Sequence, residues 1–78
     1  MLTFILMKSD LAVNLKRIRE ERGMSVIELA RRIGVSRQQI YQVEWGESGL
    51  SLNSLLSAAR ALDCELIELC ERKARKRR

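Results

Sequence analysis

The stretch SVIELARRIGVSRQQIYQVEWG, residues 25–46, constrains the fold of this chain more than any other feature. Ser25 and Ser36 each precede a Glu or Gln by three residues, the capping-box pattern in which the serine side chain accepts a hydrogen bond from the backbone N–H three residues on. Gly34 and Gly46 follow the two helical segments, and glycine readily adopts the left-handed conformation that ends many helices. The pattern predicts two helices, joined by so short a turn that they must cross sharply.

Helical periodicity also marks the segments on either side of this stretch. Leu11, Leu15 and Ile18 recur at the spacing of one helix face and predict a helix from about Leu11 to Arg22. Beyond a glycine-containing loop, Ser51 is a candidate cap for a fourth amphipathic helix. The chain has no proline and few glycines, and it is rich in residues that favour helices. We therefore predict an all-α fold.

The segment ELIELCERK, residues 65–73, fits two secondary structures. As a helix it gains two Glu–Arg pairs at four-residue spacing, with the cations towards the C-terminus. As a strand it would place Leu66 and Glu68 on one face, which mixes apolar and charged residues. We favour the helix, which makes the chain a compact five-helix bundle.

The charges divide the chain into a body, residues 1–71, and a basic tail, RKARKRR, residues 72–78. The tail holds six of the fifteen Lys and Arg side chains, so the body has a net charge of −1. We predict that the body is a single domain, because a chain of 78 residues can bury only one modest core. The tail is interpreted either as an unstructured solubilising end or as an arm that contacts phosphate.

The chain begins with the apolar run MLTFILM, which has no basic segment before it and no small-residue cleavage site after it. The run is too short to span a bilayer. We therefore predict a cytoplasmic protein without a membrane partner. Met7 is an alternative start of translation to Met1.

The chain contains no histidine, and Cys64 and Cys70 lack the C-x-x-C spacing of zinc sites. We predict that both thiols are reduced, that no metal is bound and that no cofactor is needed. Without histidine or a pair of carboxylates in a cleft, no general acid or base can be assigned. The chain is therefore predicted not to be an enzyme.

The helix that follows Ser36 has one apolar side and one polar side. Ile40 and Val43 define the buried side, and four side chains point away from it: Gln38, Tyr41, Gln42 and Trp45. Glutamine can pair with N6 and N7 of adenine, and arginine can pair with O6 and N7 of guanine. The residues suited to such base contacts in the first turns of the helix are Arg37, Gln38 and Gln42.

This stretch resembles the helix-turn-helix of the phage-repressor and Cro class of regulators, the XRE family. Ala30, Gly34, Ile40 and Val43 match the small, turn and core positions of that motif. The resemblance extends over residues 15–69 and implies a lambda-repressor-like DNA-binding domain. Within the class, the length, the apolar start and the segment GESGLSLNSLLSAARALD are most similar to those of restriction-modification controller proteins, dimers that regulate their own promoter and the endonuclease gene.

The resemblance assigns roles to individual residues. The base-reading positions of the family fall on Arg37, Gln38 and Gln42, and phosphate-contacting positions fall on Tyr41 and on the loop at Glu47 and Ser48. The remaining candidate DNA contacts are Ser36, Gln39, Arg31 and Arg32. For Gln39 a structural role is an equal alternative, because its side chain can bond the Ser36 backbone amide in the capping box.

Two positions depart from the pattern of the family. Val26 occupies a position where the family often has a phosphate-contacting Gln, and Trp45 and Glu47 occupy positions where it often has basic residues. The body is therefore expected to provide little non-specific affinity, leaving more of it to the tail or to Arg31 and Arg32. Trp45 is interpreted as a packing lid on the following loop or as a contact with the DNA backbone.

Two further sets of residues are assigned structural roles. The family pattern pairs the position of Arg19 with that of Glu44 inside the fold, so we interpret these residues as a structural ion pair. An apolar cluster near the C-terminus is larger than a small bundle can cover, and it consists of Leu66, Ile67, Leu69 and Cys70. We predict that this cluster forms a homodimer interface, and the alternative is that it belongs to the core.

These features predict a homodimeric, sequence-specific regulator of transcription that binds an inverted-repeat operator in double-stranded DNA. The resemblance implies an autoregulatory controller of a restriction-modification operon, of bacterial or phage origin. Two alternatives within DNA binding are a phage-type repressor and the antitoxin of a toxin–antitoxin pair. A third alternative, from another class, is a protein-interaction module whose basic tail binds acidic partners or an anionic membrane surface.

Overall fold

The computed structural model describes residues 2–71, of which residues 2–9 are described by their backbone alone. Five α-helices follow one another along this range: α1 (Leu2–Glu21), α2 (Val26–Ile33), α3 (Arg37–Glu44), α4 (Leu52–Ala61) and α5 (Leu66–Cys70). No strand occurs between residues 2 and 71, and the predicted all-α, five-helix fold is confirmed. The basic tail, residues 72–78, lies outside the described residues.

The first helix is longer than predicted. The periodicity predicts a start near Leu11, whereas α1 begins at Leu2. The preceding apolar run has no alternation of apolar and polar residues, so periodicity cannot detect a helix there, and no glycine or proline interrupts residues 2–21. At its other end, α1 stops after Glu21, where Gly23 adopts a left-handed conformation with a φ of 66°.

The last helix is shorter than predicted. The sequence predicts a helix over residues 65–73, but α5 ends at Cys70, and Glu71 has an extended backbone with φ −87° and ψ 142°. At the other end, Glu65 occupies the N-cap position without a side-chain capping bond. So short a helix is not stable by itself in water, so α5 depends on its neighbours.

All five helices contribute to one apolar core. Its buried members are Leu11, Leu15, Ile18, Val26, Leu29, Ala30, Ile40, Val43, Ala58, Ala59, Leu62 and Leu69. In this arrangement α1 packs against α3 and α5, α2 packs against α3 and α4, and α4 packs against α5. The buried residues of α3 are Ile40 and Val43, which lie on one side of the helix, so its opposite side faces solvent.

Polar side chains in and just after α1 bind the C-terminal ends of two other helices. Asn14, which is only 1% exposed, donates from Nδ2 to the carbonyl oxygens of Leu69 at 2.9 Å and Glu71 at 2.7 Å. Arg22 donates from Nε to the carbonyl oxygen of Leu62 at 2.7 Å. The last carbonyls of a helix have no partner within it, so these bonds fasten α5 and α4 to α1.

Candidate nucleic-acid interface

A three-residue turn between α2 and α3 sets the direction of α3. Gly34 has a φ of 79°, and the N–H groups of Gly34 and Val35 both donate to the carbonyl oxygen of Ala30, at 2.9 Å and 3.0 Å. Ser36 then caps α3, since its Oγ accepts a hydrogen bond from the N–H of Gln39 at 3.1 Å. The glycine and the serine thus act as predicted, one ending α2 and the other starting α3.

The inner side of α3 is held by packing and by an ion pair. Ile40 and Val43 are fully buried in the core. Arg19 of α1 donates from Nε and Nη2 to the two carboxylate oxygens of Glu44, at 2.7 Å and 3.0 Å, and from Nη1 to the carbonyl oxygen of Met24 at 2.8 Å. The predicted pair between Arg19 and Glu44 is therefore present in bidentate geometry.

The ion pair between Arg19 and Glu44 is buried, and its two charges neutralise each other. The side chains of Arg19 and Glu44 are only 10% and 5% exposed. The hydrogen bonding that Arg19 donates to Glu44 raises the pKa of Arg19, an effect that outweighs the opposing effect of burial. Arg19 therefore stays protonated over the whole range of physiological pH, and the pair fixes the last turn of α3 to α1.

The outer side of α3 carries the residues predicted to contact bases. Arg37 and Gln38 are exposed and Gln42 is half-buried. Within residues 10–71, none of these three side chains has a hydrogen-bond partner, so their donors and acceptors are available to a ligand. The geometry thus brings together the three predicted residues on one side of a rigidly held helix.

Only half of each predicted capping box is formed. The N–H of Gln39 bonds Ser36, but the structure gives no return bond from the half-buried Gln39 side chain among the described residues. In the other box, the N–H of Glu28 bonds Ser25 at 3.0 Å, while the Glu28 carboxylate accepts instead from Arg32 Nε at 2.8 Å. An arginine one turn along the helix is the better partner for this carboxylate because it is charged.

The basic residues of α2 lie on its surface. Arg31 and Arg32 are both exposed, and both form ion pairs with Glu28, at 3.5 Å and 2.8 Å. Exposed pairs of this kind contribute little to stability, about 0–1 kcal/mol. Either guanidinium can therefore leave Glu28 for a phosphate at small cost, which keeps both residues as candidate phosphate contacts.

Two aromatic residues extend the outer side of α3. Tyr41 and Trp45 stack on each other with ring centroids 5.8 Å apart. Trp45 is 67% exposed, so it does not act as the packing lid that the sequence suggested. It extends from the end of the helix over Tyr41 and into solvent.

The loop after α3 differs from the prediction at one position. Ser48 is half-buried, and its Oγ is enclosed without a hydrogen-bond partner in the described part of the chain. A hydroxyl in this position does not face solvent, so a phosphate contact requires the side chain to rotate outward. Sequence patterns could not show this, because the direction of a loop side chain depends on packing around the loop.

The predicted dimer residues are divided between the core and the surface. Leu69 is fully buried within the chain, so its assignment to an interface is wrong. Its side chain packs from α5 into the core and cannot contact a second copy. Ile67 is 58% exposed, and Leu66 and Cys70 are half-buried. Leu52 of α4 is a further exposed apolar residue. The one feature of the sequence that indicates its exposure is its position in the first turn of α4.

The described residues hold two free cysteines and no group that could bind a metal ion. Burial raises the pKa of both the Cys64 and the Cys70 thiol, so both remain protonated at neutral pH. Between residues 2 and 71 no three His, Cys, Asp or Glu side chains converge as metal ligands. The same range contains no helix with the length and apolar character needed to span a membrane.

Comparison with known proteins yields a family and several solved structures. The family model HTH_3, described as helix-turn-helix, matches residues 15–69. The restriction-modification controller protein C.AhdI from Aeromonas hydrophila is 34% identical with a TM-score of 0.75, and the match covers 80% of this chain and 94% of that one. An HTH_3 family transcriptional regulator from Vibrio cholerae is 32% identical with a TM-score of 0.76, covering 83% of this chain and 36% of that one.

A curated relative matches over a small part of its length. A protein of Pyrococcus horikoshii, named as an HTH-type transcriptional regulatory protein, is 41% identical over 54 residues, which make up 69% of this chain and 17% of the relative. The chain thus spans about a sixth of this relative and about a third of the Vibrio regulator, but almost all of the controller protein. The shared region contains the two helices and the turn described above.

Proposed function

The chain belongs to the HTH_3 family of helix-turn-helix proteins, and we propose that it binds double-stranded DNA sequence-specifically as a regulator of transcription. One observation carries this proposal. The short helix α3 has a fully buried inner side, whereas its outer side presents Arg37, Gln38 and Gln42 with unused hydrogen-bonding groups. A helix of this kind fits the major groove, where arginine and glutamine distinguish base pairs through paired hydrogen bonds.

The protein acts as a homodimer on an inverted repeat. Exposed apolar residues on α4 and α5, Leu52 and Ile67, supply surface that a second copy would cover, and the half-buried Leu66 and Cys70 adjoin Ile67. A two-fold dimer presents two copies of α3, which contact half-sites about one helical turn, or roughly 34 Å, apart.

The genes that the protein regulates include the gene that encodes it. This proposal draws on the similarity to C.AhdI, a restriction-modification controller protein of which the chain covers 94% at 34% identity. An autoregulatory controller of a restriction-modification operon needs no sensor domain, because its own concentration sets operator occupancy. The protein then acts in the cytoplasm, without enzymatic activity.

A selection of bound sequences from random duplex DNA tests the function. We would compare the wild type with the double variant Gln38→Ala plus Gln42→Ala, each at two salt concentrations. A matched control is Lys16→Ala plus Glu20→Ala, which removes two exposed side chains of α1 and leaves the net charge unchanged. A third variant lacks residues 72–78.

The proposal expects a palindrome from the wild type and from the α1 control. The Gln38/Gln42 variant should lose base preference while the slope of affinity against salt stays the same, because phosphate contacts set that slope. If the wild type and both alanine variants recover the same unselective pool, and the variant that lacks residues 72–78 does not bind, α3 does not read DNA. The chain would then be an interaction module that binds through its tail.

A further inference from the structure

The most exposed of the large hydrophobic side chains within residues 10–71 is that of Trp45, at the C-cap of α3, and it belongs to an aromatic pair that the core does not use. Tyr41 is 41% exposed and Trp45 is 67% exposed. Their rings stack at a centroid distance of 5.8 Å with an angle of 25° between the ring planes. The two stacked rings together form an exposed apolar surface at the end of α3.

The position of this aromatic pair on α3 makes it part of the outer side. Trp45 follows Gln38 by seven residues, close to two full turns, so both lie on one line along the helix, about 10 Å apart. Tyr41 lies beside this line, between Gln38 and Trp45. The apolar surface therefore continues the row of residues that the proposed function assigns to base recognition.

The edges of the base pairs in the major groove carry one apolar group. Thymine presents its C5-methyl there, next to the hydrogen-bonding O4, and apolar side chains recognise it by contact. A charged residue at the end of α3 would bind phosphate irrespective of sequence. Trp45 carries no charge, and together with Tyr41 it offers the apolar surface that a methyl group requires.

From this geometry we propose that the Tyr41–Trp45 pair recognises a 5-methyl group, that of thymine, in each half-site. The recognised thymine lies within about three base pairs of the base bound by Gln38, since seven helical residues span about the length of three base-pair steps. This inference rests on the proposed function. It adds a base preference that the hydrogen-bonding residues of α3 do not provide.

Replacement of thymine by deoxyuridine tests the proposal, because it removes the methyl group and keeps every hydrogen bond of the base. In the selected operator, thymines would be replaced one position at a time, symmetrically in both half-sites, and affinity measured. At one position the wild type should lose about fourfold in affinity per half-site, the effect of one buried methyl group. Trp45→Ala should bind the thymine and deoxyuridine operators equally at that position.

Conservative variants separate recognition by the rings from hydrogen bonding. Tyr41→Phe keeps the stack and removes the hydroxyl, and Trp45→Phe keeps a ring and removes the indole N–H donor. Both should still prefer thymine over deoxyuridine. Val13→Ala, which truncates a similarly exposed apolar side chain on α1, should behave as the wild type.

Four results would overturn the inference, and they are distinguishable from one another. If wild-type affinity is insensitive to deoxyuridine at every position, or if Trp45→Ala leaves the sensitivity unchanged, the pair does not recognise a methyl group although the regulator still binds selectively. If both phenylalanine variants lose affinity equally for all sequences, the pair binds phosphate. If the wild type selects no sequence at all, the proposed function fails as well.

Discussion

Two short helices, α3 and α5, are stabilised in different ways. α3 has a serine cap at its start, and its end is closed by Gly46, whose φ is 80°. There the N–H groups of Gly46 and Glu47 return to the carbonyl oxygens of Val43 and Gln42 at 3.0 Å and 2.9 Å, the arrangement known as a Schellman motif. α5 has neither a side-chain cap at Glu65 nor a glycine at its end.

A side chain of α1 also binds each of the two helices, but the two contacts have different structural roles. Arg19 holds the last turn of α3 through Glu44, in addition to the local signals that already define α3. Asn14 holds the end of α5, where local signals are missing. The helix proposed to read DNA is therefore specified by its own sequence and then oriented by α1, whereas α5 is formed by the packing around it.

The largest expected effect comes from breaking the contact that orients α3. Glu44→Ala leaves Arg19 charged in a buried site without the carboxylate that balances its charge, and we expect the free energy of unfolding to fall by about 3–5 kcal/mol. Chemical denaturation at a fixed protein concentration measures this loss. A decrease below about 1 kcal/mol would show that local signals alone orient α3.

A double variant serves as the control for that measurement. Arg19→Met plus Glu44→Leu replaces both charges by apolar side chains, and such replacements of buried pairs are often neutral or stabilising. We therefore expect the double variant to be more stable than Glu44→Ala. If the two variants are equally unstable, packing volume and not the unpaired charge causes the loss.

A smaller effect is expected from the contact that holds α5. Asn14→Ala removes the donor to two carbonyl oxygens at the end of α5, and we expect a loss of about 1–3 kcal/mol because a buried acceptor is left unpaired. Amide hydrogen exchange should show the loss of protection concentrated in α5. Equal loss of protection in α3 would contradict the separate dependence of the two helices.

The smallest effects on stability are expected from removing the cap of α3 and from adding a cap to α5. Ser36→Ala removes the cap of α3 and should cost about 1 kcal/mol, whereas Glu65→Ser supplies a cap that α5 lacks and should gain up to about 1 kcal/mol. Thermal unfolding of both variants measures the pair of changes. If Glu65→Ser does not increase the stability, tertiary contacts alone already fix the start of α5.

The accuracy of prediction from sequence follows the same division between local and tertiary signals. The caps at Ser25 and Ser36 and the turn at Gly34 are local, and each was located correctly. The sequence did not predict the extent of α5 or the burial of Leu69, because both depend on contacts with residues more than fifty positions away, such as Asn14. The periodicity of α3 did place Trp45 on the outer side, but that Trp45 does not cover the following loop and that Ser48 faces inward both depend on packing around that loop.

The sequence by itself determined the helices of the turn region, the sides of α3 that face the core and solvent, and the partners of its ion pair. It could do so because capping, left-handed glycine and helical periodicity act over a few residues, and because the resemblance to a known motif supplied the one distant pair. Only the tertiary structure decided where α5 ends, which apolar residues remain on the surface and that Tyr41 and Trp45 stack in solvent. These features are set by the shape of the whole core, to which residues far apart in the chain contribute together.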